Sequence, residues 1–149
     1  MTEVTVLIPK PVDEVFAILA DGWSYGHWVV GSTHIRRVDS NWPQVGSRIH
    51  HSVGAWPLMV QDSTAVLEVE SPHLLELQAR LWSFGQARIR MELSARDSGD
   101  TLVRMIETVT HGPAALMPDR VLALLLGPRN DESLARLKDL AVSRYSAEG

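Results

Sequence analysis

The 149-residue sequence predicts an α+β domain in which a curved, seven-stranded antiparallel sheet wraps one long C-terminal helix. Three observations predict it. A short strand and a proline-started helix open the chain, residues 32–109 alternate apolar and polar with period two, and an apolar segment at helical spacing, Leu116 to Tyr145, closes it. A sheet with one dry face and a helix laid across that face encloses a space suited to a small molecule.

The opening strand is marked by Val4, Val6 and Ile8 alternating with Thr5 and Leu7 before Pro9. Pro11 starts a helix, because a proline in the first turn forfeits no hydrogen bond, and Asp13 and Glu14 follow where the helix dipole favours negative charge. Val12, Val15, Phe16 and Leu19 give that helix one apolar face. Asp21 to Trp28, rich in aromatic residues, reads as a second short helix or turn, with Trp23 and Trp28 covering one end of the core. Six strands are then predicted: Ser32 to Asp39, Ser47 to Val53, Met59 to Glu70, Leu74 to Trp82, Gln86 to Ala95 and Thr101 to Val109. Turn signals rich in Gly, Pro, Asn and Asp separate them.

Alternation assigns faces within these strands. Leu75, Leu77 and Ala79 oppose Glu76, Gln78 and Arg80; Ala87, Ile89, Met91 and Leu93 oppose Arg88, Arg90 and Glu92. Leu67 and Val69 are expected on the dry face, against Glu68 and Glu70. In the closing segment Val121, Leu122, Leu124, Leu125 and Leu126, then Leu134, Leu137, Leu140 and Ala141, predict a helix lying on the sheet. Gly127-Pro128 predicts a kink or two abutting helices, since proline removes one donor and clashes with the carbonyl of Leu124.

Composition narrows the function. One domain spanning residues 1–149 is expected, because the length suffices for a single sizeable core and no linker, repeat or low-complexity tract divides it. The net charge of −4, with both signs interspersed, offers no basic stripe for a nucleic acid. Cysteine is absent, which excludes disulfides, thiolate nucleophiles and zinc-thiolate sites and suits a reducing cytoplasm. No apolar run approaches the roughly 18 residues of a membrane span, so membrane insertion is not expected. There is no phosphate-binding glycine loop, and no cofactor is implied.

The element order and several strings together resemble one superfamily. Val-Leu-Ile-Pro-Lys-Pro-Val-Asp-Glu-Val-Phe-Ala-Ile-Leu-Ala-Asp (6–21), Tyr-Gly-His-Trp (25–28), Gln-Val-Gly-Ser-Arg (44–48) and the closing helix are similar to the SRPBCC superfamily, over essentially the whole chain. The nearest likeness is to its polyketide cyclase/dehydrase and lipid-transport members, related to START domains and the birch-pollen allergen type. The resemblance implies a helix-grip fold whose sheet curls round the last helix and leaves a cavity for a hydrophobic ligand. It also implies a family in which carriers, sensors and enzymes share one fold, so the site must carry the functional argument.

Candidate polar residues are those that alternation turns inward. Glu107 shares parity with Val103, Met105 and Val109; a desolvated carboxyl group there can act as acid or base, unless Arg104, Arg129 or a histidine holds it ionised. His51 shares parity with Ile49 and Val53 while His50 points outward, so the two adjacent rings cannot chelate one metal, and no metal site is expected. Gln61 is expected inward with Met59 and Ala65. Asn130 falls on the inward stripe of the last helix, bonding either backbone groups freed at the Pro128 interruption or a ligand.

Two functions stand against each other. A carrier or sensor would hold a lipid or polyketide-like metabolite against Phe16, Trp28, Ile49, Met59 and Leu77 on one side. Ile89, Met91, Met105, Leu122, Leu125 and Asn130 would complete its walls. A cofactor-independent cyclase/dehydrase would use Glu107, His51 and Gln61 for proton transfer. A weaker third reading is an interaction module with a filled core. Monomer and homodimer are both compatible with the sequence.

Overall fold

The structure, a computed structural model, describes residues 1–30, 32–53, 60–80 and 85–146, with the side chains of residues 32, 33, 53, 60, 61, 145 and 146 left aside. β1 (Thr2–Ile8) is followed by α1 (Val12–Ala20), a single 3₁₀ turn (Gly22–Ser24) and the one-turn α2 (Tyr25–Trp28). Six strands come next: β2 (Ser32–Val38), β3 (Arg48–Val53), β4 (Val60–Glu70), β5 (Leu74–Arg80), β6 (Gln86–Ala95) and β7 (Thr101–His111). A 3₁₀ turn (Pro113–Leu116) leads into α3 (Asp119–Ser146). All strand pairs are antiparallel and form one sheet in the order β1-β7-β6-β5-β4-β3-β2. This is the helix-grip α+β architecture expected. The first two helices carry the chain from one sheet edge to the other, and five successive hairpins bring it back beside β1.

Local chemistry accounts for the corners. Pro11 stands just ahead of α1, and its carbonyl accepts from the N–H groups of Glu14 and Val15. Asp21 ends the helix, and its carboxylate accepts from the Trp23 N–H at 3.2 Å. The Ser24 hydroxyl donates to the Ile18 carbonyl at 2.7 Å, which pins the second turn under the first helix. Gly85, at φ 134°, lies so close to the backbone of His111 that a Cβ there would sit 1.8 Å from the carbonyl oxygen. Only glycine fits that crossing.

The dry face is continuous. Val15, Phe16, Ile18 and Leu19 of α1 meet Ile49, Val66, Leu75, Leu77, Ile89, Met91, Val103 and Met105 of the sheet, with Leu134, Leu137 and Ala141 of α3 in one core. The outer face is charged: Arg90 pairs with Glu76 at 2.7 Å and Glu92 at 2.8 Å, and Arg104 pairs with Glu3 at 2.7 Å and Glu92 at 3.2 Å.

Several expectations are corrected. Leu67 is exposed, because a bulge falls between Val66 and Glu68: Val66 faces Leu77 and Val69 faces Leu75, with Leu67 as the extra residue. The chain from Asp119 to Ser146 is one helix, not two abutting ones; Pro128 lies on its exposed side. The inward stripe of α3 passes through Leu122, Leu126, Asn130, Leu134, Leu137 and Ala141, at spacings of three and four. Leu124 and Leu125 fall off that stripe and are exposed, at 77% and 59%, so neither lies against the sheet. Trp23 is exposed rather than covering the core, whereas Trp42, between β2 and β3, packs on the core and donates its indole N–H to the Leu19 carbonyl at 3.1 Å. Trp56, Met59, Leu81 and Trp82 lie outside the described residues.

Candidate ligand-binding site

One polar cluster interrupts the apolar interior. Glu107 enters it from β7, on the same side as Val103 and Met105, and is 1% exposed. Its Oε1 accepts from Arg129 Nη2 at 2.6 Å and from Asn130 Nδ2 at 2.9 Å, both on α3. Arg129 Nε also donates to Asn130 Oδ1 at 3.3 Å. The guanidinium is always charged, so its short bond to Glu107 is a charge-assisted one. Asn130 thus bonds a side chain on the sheet, and neither alternative expected for it from the sequence includes that partner.

From the other side of the curled sheet come His51 of β3 and Thr64 of β4. His51 Nε2 and Thr64 Oγ1 are 3.0 Å apart, both buried. Burial pushes the imidazole below the usual histidine value; the charge of Asp62 opposes this, and those of Arg36 and His50 add to it. Tyr25 of α2 joins the two halves. Its ring lies 6.2 Å from the His51 ring and 5.4 Å from Trp28, the latter edge to face. Burial pushes the Tyr25 phenol up to about 12, while a hydrogen bond with Thr64 and the charge of Arg129 draw it down and the charge of Glu107 raises it.

Three atoms of this cluster are buried without a hydrogen-bond partner: Trp28 Nε1, His51 Nδ1 and Glu107 Oε2. An unsatisfied buried polar atom costs roughly 1–3 kcal/mol, and more when charged. Such atoms are rare in a native interior, and three in one cluster make it the candidate site.

The remaining predicted wall residues divide cleanly. Phe16, Ile49, Leu77, Ile89, Met91 and Met105 are buried in the same core as Trp28. Leu122 is buried outside that cluster and Leu125 is exposed. The register corrects the face assignment of β4: His51 pairs with Asp62 and Ile49 with Thr64, so the inward series is Asp62, Thr64 and Val66 and does not include Ala65. Gln61 pairs with Ser52, one residue out of step with His51. Thr64 was missed for that reason, and Tyr25 because an aromatic in a turn reads as packing; their signal was parity with Val66 and the hydroxyl edge of the ring. His34 and His111 are exposed, and His111 Nδ1 lies 2.9 Å from Thr110 Oγ1. Among the described residues no group of three or more His, Asp or Glu side chains is placed to hold a metal. None of their helices is long and apolar enough to cross a membrane.

A second feature is an open cleft of about 490 Å³ between α1 and the β4–β5 turn, lined by Asp13, Phe16, Ala17, Ala20, Pro43, Gln44, Val69, Ser71 and Pro72. Apart from Phe16 it shares no residue with the predicted walls, and it lacks unpartnered buried polar atoms. The polar cluster is the better candidate for recognition.

The sequence model described as polyketide cyclase / dehydrase and lipid transport matches residues 2–142. The chain belongs to this family. The family lies in the SRPBCC superfamily, and solved structures of low sequence identity share its fold. Protein SA2116 from Staphylococcus aureus superposes with a TM-score of 0.72 at 9% identity, over 97% of this chain and 96% of that one. Ara h 8.0201 gives 0.70 at 13% identity, over 95% and 96%. Protein NE0264 from Nitrosomonas europaea gives 0.69 at 16% identity, over 98% and 97%. No curated protein is similar enough in sequence to match the chain.

Proposed function

We propose that this SRPBCC domain is a carrier or sensor that binds a hydrophobic small molecule, such as a lipid or polyketide-like metabolite, between the sheet and α3. The polar cluster around Tyr25 would receive the ligand's polar end. The observation that carries this reading is the trio of unpartnered atoms on Trp28, His51 and Glu107, set in an interior otherwise lined by Ile49, Met91 and Met105. Binding pockets combine apolar walls with a few polar groups that fix orientation. The family's description, which names lipid transport beside cyclase/dehydrase activity, is compatible with it.

The cyclase/dehydrase reading draws on the same residues. A carboxylate with one free oxygen and a neutral imidazole with one free nitrogen are the parts of an acid–base pair. Binding is favoured because both groups are tethered separately, Glu107 to α3 and His51 to Thr64, with no hydrogen bond between them.

Native mass spectrometry of the purified protein, followed by denaturing extraction, tests the proposal. A stoichiometric apolar metabolite is expected. An empty protein whose melting temperature no apolar probe raises by mass action would overturn it. Glu107→Gln then separates the two readings, since turnover would disappear while a binding role would leave the apolar contacts in place.

A further inference from the structure

The first third of α3 is apolar all round. From Val121 to Pro128 no residue carries a polar side chain. Leu122 and Leu126 take the side towards the sheet, which leaves Val121, Leu124, Leu125 and Pro128 as a stripe in water, with Leu116, 88% exposed, just ahead of it in the chain. A helix without a polar side is ordinarily covered on every side, and contiguous exposed apolar surface marks a contact.

The charges that border the stripe select its occupant. Asp119 pairs with the Met1 amino group at 3.5 Å, Arg129 with Glu107 at 2.6 Å and Glu132 with Arg136 at 3.1 Å. Arg120 and Asp131, both exposed, have no ion-pair partner among the described residues. They lie about 16 Å apart along the helix axis and within about 20° of each other around it, on one flank of the stripe. Their midpoint, between Leu125 and Leu126, falls about one residue from the centre of the stripe. A second copy of the helix, turned end for end about a two-fold axis through that point, sets Arg120 of each opposite Asp131 of the other while the leucines meet their counterparts. A parallel copy would set Arg120 level with Arg120 and Asp131 level with Asp131. A lipid surface fits less well: helices that lie on membranes border their apolar side with Lys and Arg. Here Asp119, Asp131 and Glu132 balance Arg120, Arg129 and Arg136, and the chain carries a net charge of −4.

We propose that this face of α3 joins two copies of the chain, antiparallel and isologous, through Val121, Leu124, Leu125 and Pro128, with reciprocal Arg120–Asp131 bridges at its two ends. The apolar contact supplies the affinity and the bridges fix the direction.

Sedimentation velocity of the full chain between about 1 and 300 µM tests this, because a seam of three helical turns is expected to hold with a micromolar dissociation constant. The mass is expected to rise from one chain to two across that range. A single chain at every concentration overturns the proposal, and co-sedimentation of that monomer with phosphatidylserine-containing vesicles would assign the face to a lipid surface instead. Leu124→Glu, at an exposed position, should abolish pairing with the thermal transition of the monomer retained; a dimer that survives it is built elsewhere.

Charge reversal tests the direction. Arg120→Asp and Asp131→Arg should each weaken self-association by about tenfold, since both bridges become repulsions. Mixed one to one, the two variants should pair again, because every bridge in the mixed dimer joins Asp to Arg. A mixture that pairs no better than either variant alone overturns the antiparallel seam; if one substitution prevents folding, the remaining ones decide.

Discussion

The two faces of the sheet use the same chemistry to opposite ends. On the outer face Arg90 and Arg104 bridge glutamates of neighbouring strands in water: Arg104 grips Glu3 through two bonds of 2.7 and 2.8 Å, and Arg90 spans Glu76 and Glu92. On the inner face one guanidinium meets one carboxylate at a similar distance, yet Glu107 keeps an oxygen free and is sealed from solvent. The outer ladder stiffens a surface that water would solvate anyway. The inner pair holds a charge in the interior, where desolvation offsets much of the attraction between the two groups.

The largest expected difference between the faces comes from removing a cation. Arg129→Ala would leave the Glu107 carboxylate buried with only the Asn130 amide; breaking a fully buried pair costs roughly 3–5 kcal/mol, and because the Arg129 side chain is 32% exposed a loss of about 3 kcal/mol, at the low end, is expected. For a chain of this size that lowers the melting temperature by roughly 10 °C. Adding Glu107→Gln removes the stranded charge, so the double variant is expected to melt above Arg129→Ala alone. Thermal unfolding of the single and double variants checks this, and additive losses would mean the pair is not coupled.

How far the sequence reached follows the same division. Alternation in β5, β6 and β7 is regular, so the faces of Leu77, Ile89, Met91, Met105 and Glu107 were legible from parity. The outer ladder was visible only as charges opposite leucines. In β4 a single extra residue at Leu67 reverses the parity of everything before it, which is why Gln61 and Ala65 were favoured over Asp62 and Thr64. The helix was readable where its stripe was strictly spaced, at Leu134, Leu137 and Ala141, and misread where five apolar residues crowd Val121 to Leu126 and composition does not choose a face. Asn130 was placed inward correctly, but its partner lies 23 residues away on another element, a pairing that only the fold creates.

A smaller effect separates the faces by pH. His51 binds a proton less readily in the folded state than the ordinary histidine value of 6.5, because burial disfavours the cation. Below that value the unfolded chain takes up a proton that the folded chain refuses, so His51 contributes stability above it that is lost as pH falls. The stability of the protein should decline on acidification from neutral pH, and His51→Gln, which keeps a polar group near Thr64, should flatten that decline. The carboxylate of Glu3 on the outer face is held low by Arg104, so its contribution is lost only at more acidic pH, below the usual carboxylate value of 4.5. Chemical denaturation at a series of pH values resolves the two windows; an identical slope in His51→Gln would remove the inner one.

The smallest expected effect belongs to the outer ladder itself. Arg90 reaches three glutamates, Glu68, Glu76 and Glu92, whose side chains are 50%, 13% and 31% exposed where that of Glu107 is 1%, so water competes for their bonds. Exposed pairs of this kind contribute about 1 kcal/mol or less, and screening weakens them further as salt is raised. Arg90→Ala should therefore lower stability by less than about a third of the loss in Arg129→Ala. The loss should shrink further in high salt, whereas that of Arg129→Ala should persist, because ions do not enter the buried side of its pair. Denaturation of both variants at low and high ionic strength makes the comparison directly. A loss in Arg90→Ala that equals the inner one and resists salt would show that the outer face, too, is energetically part of the core.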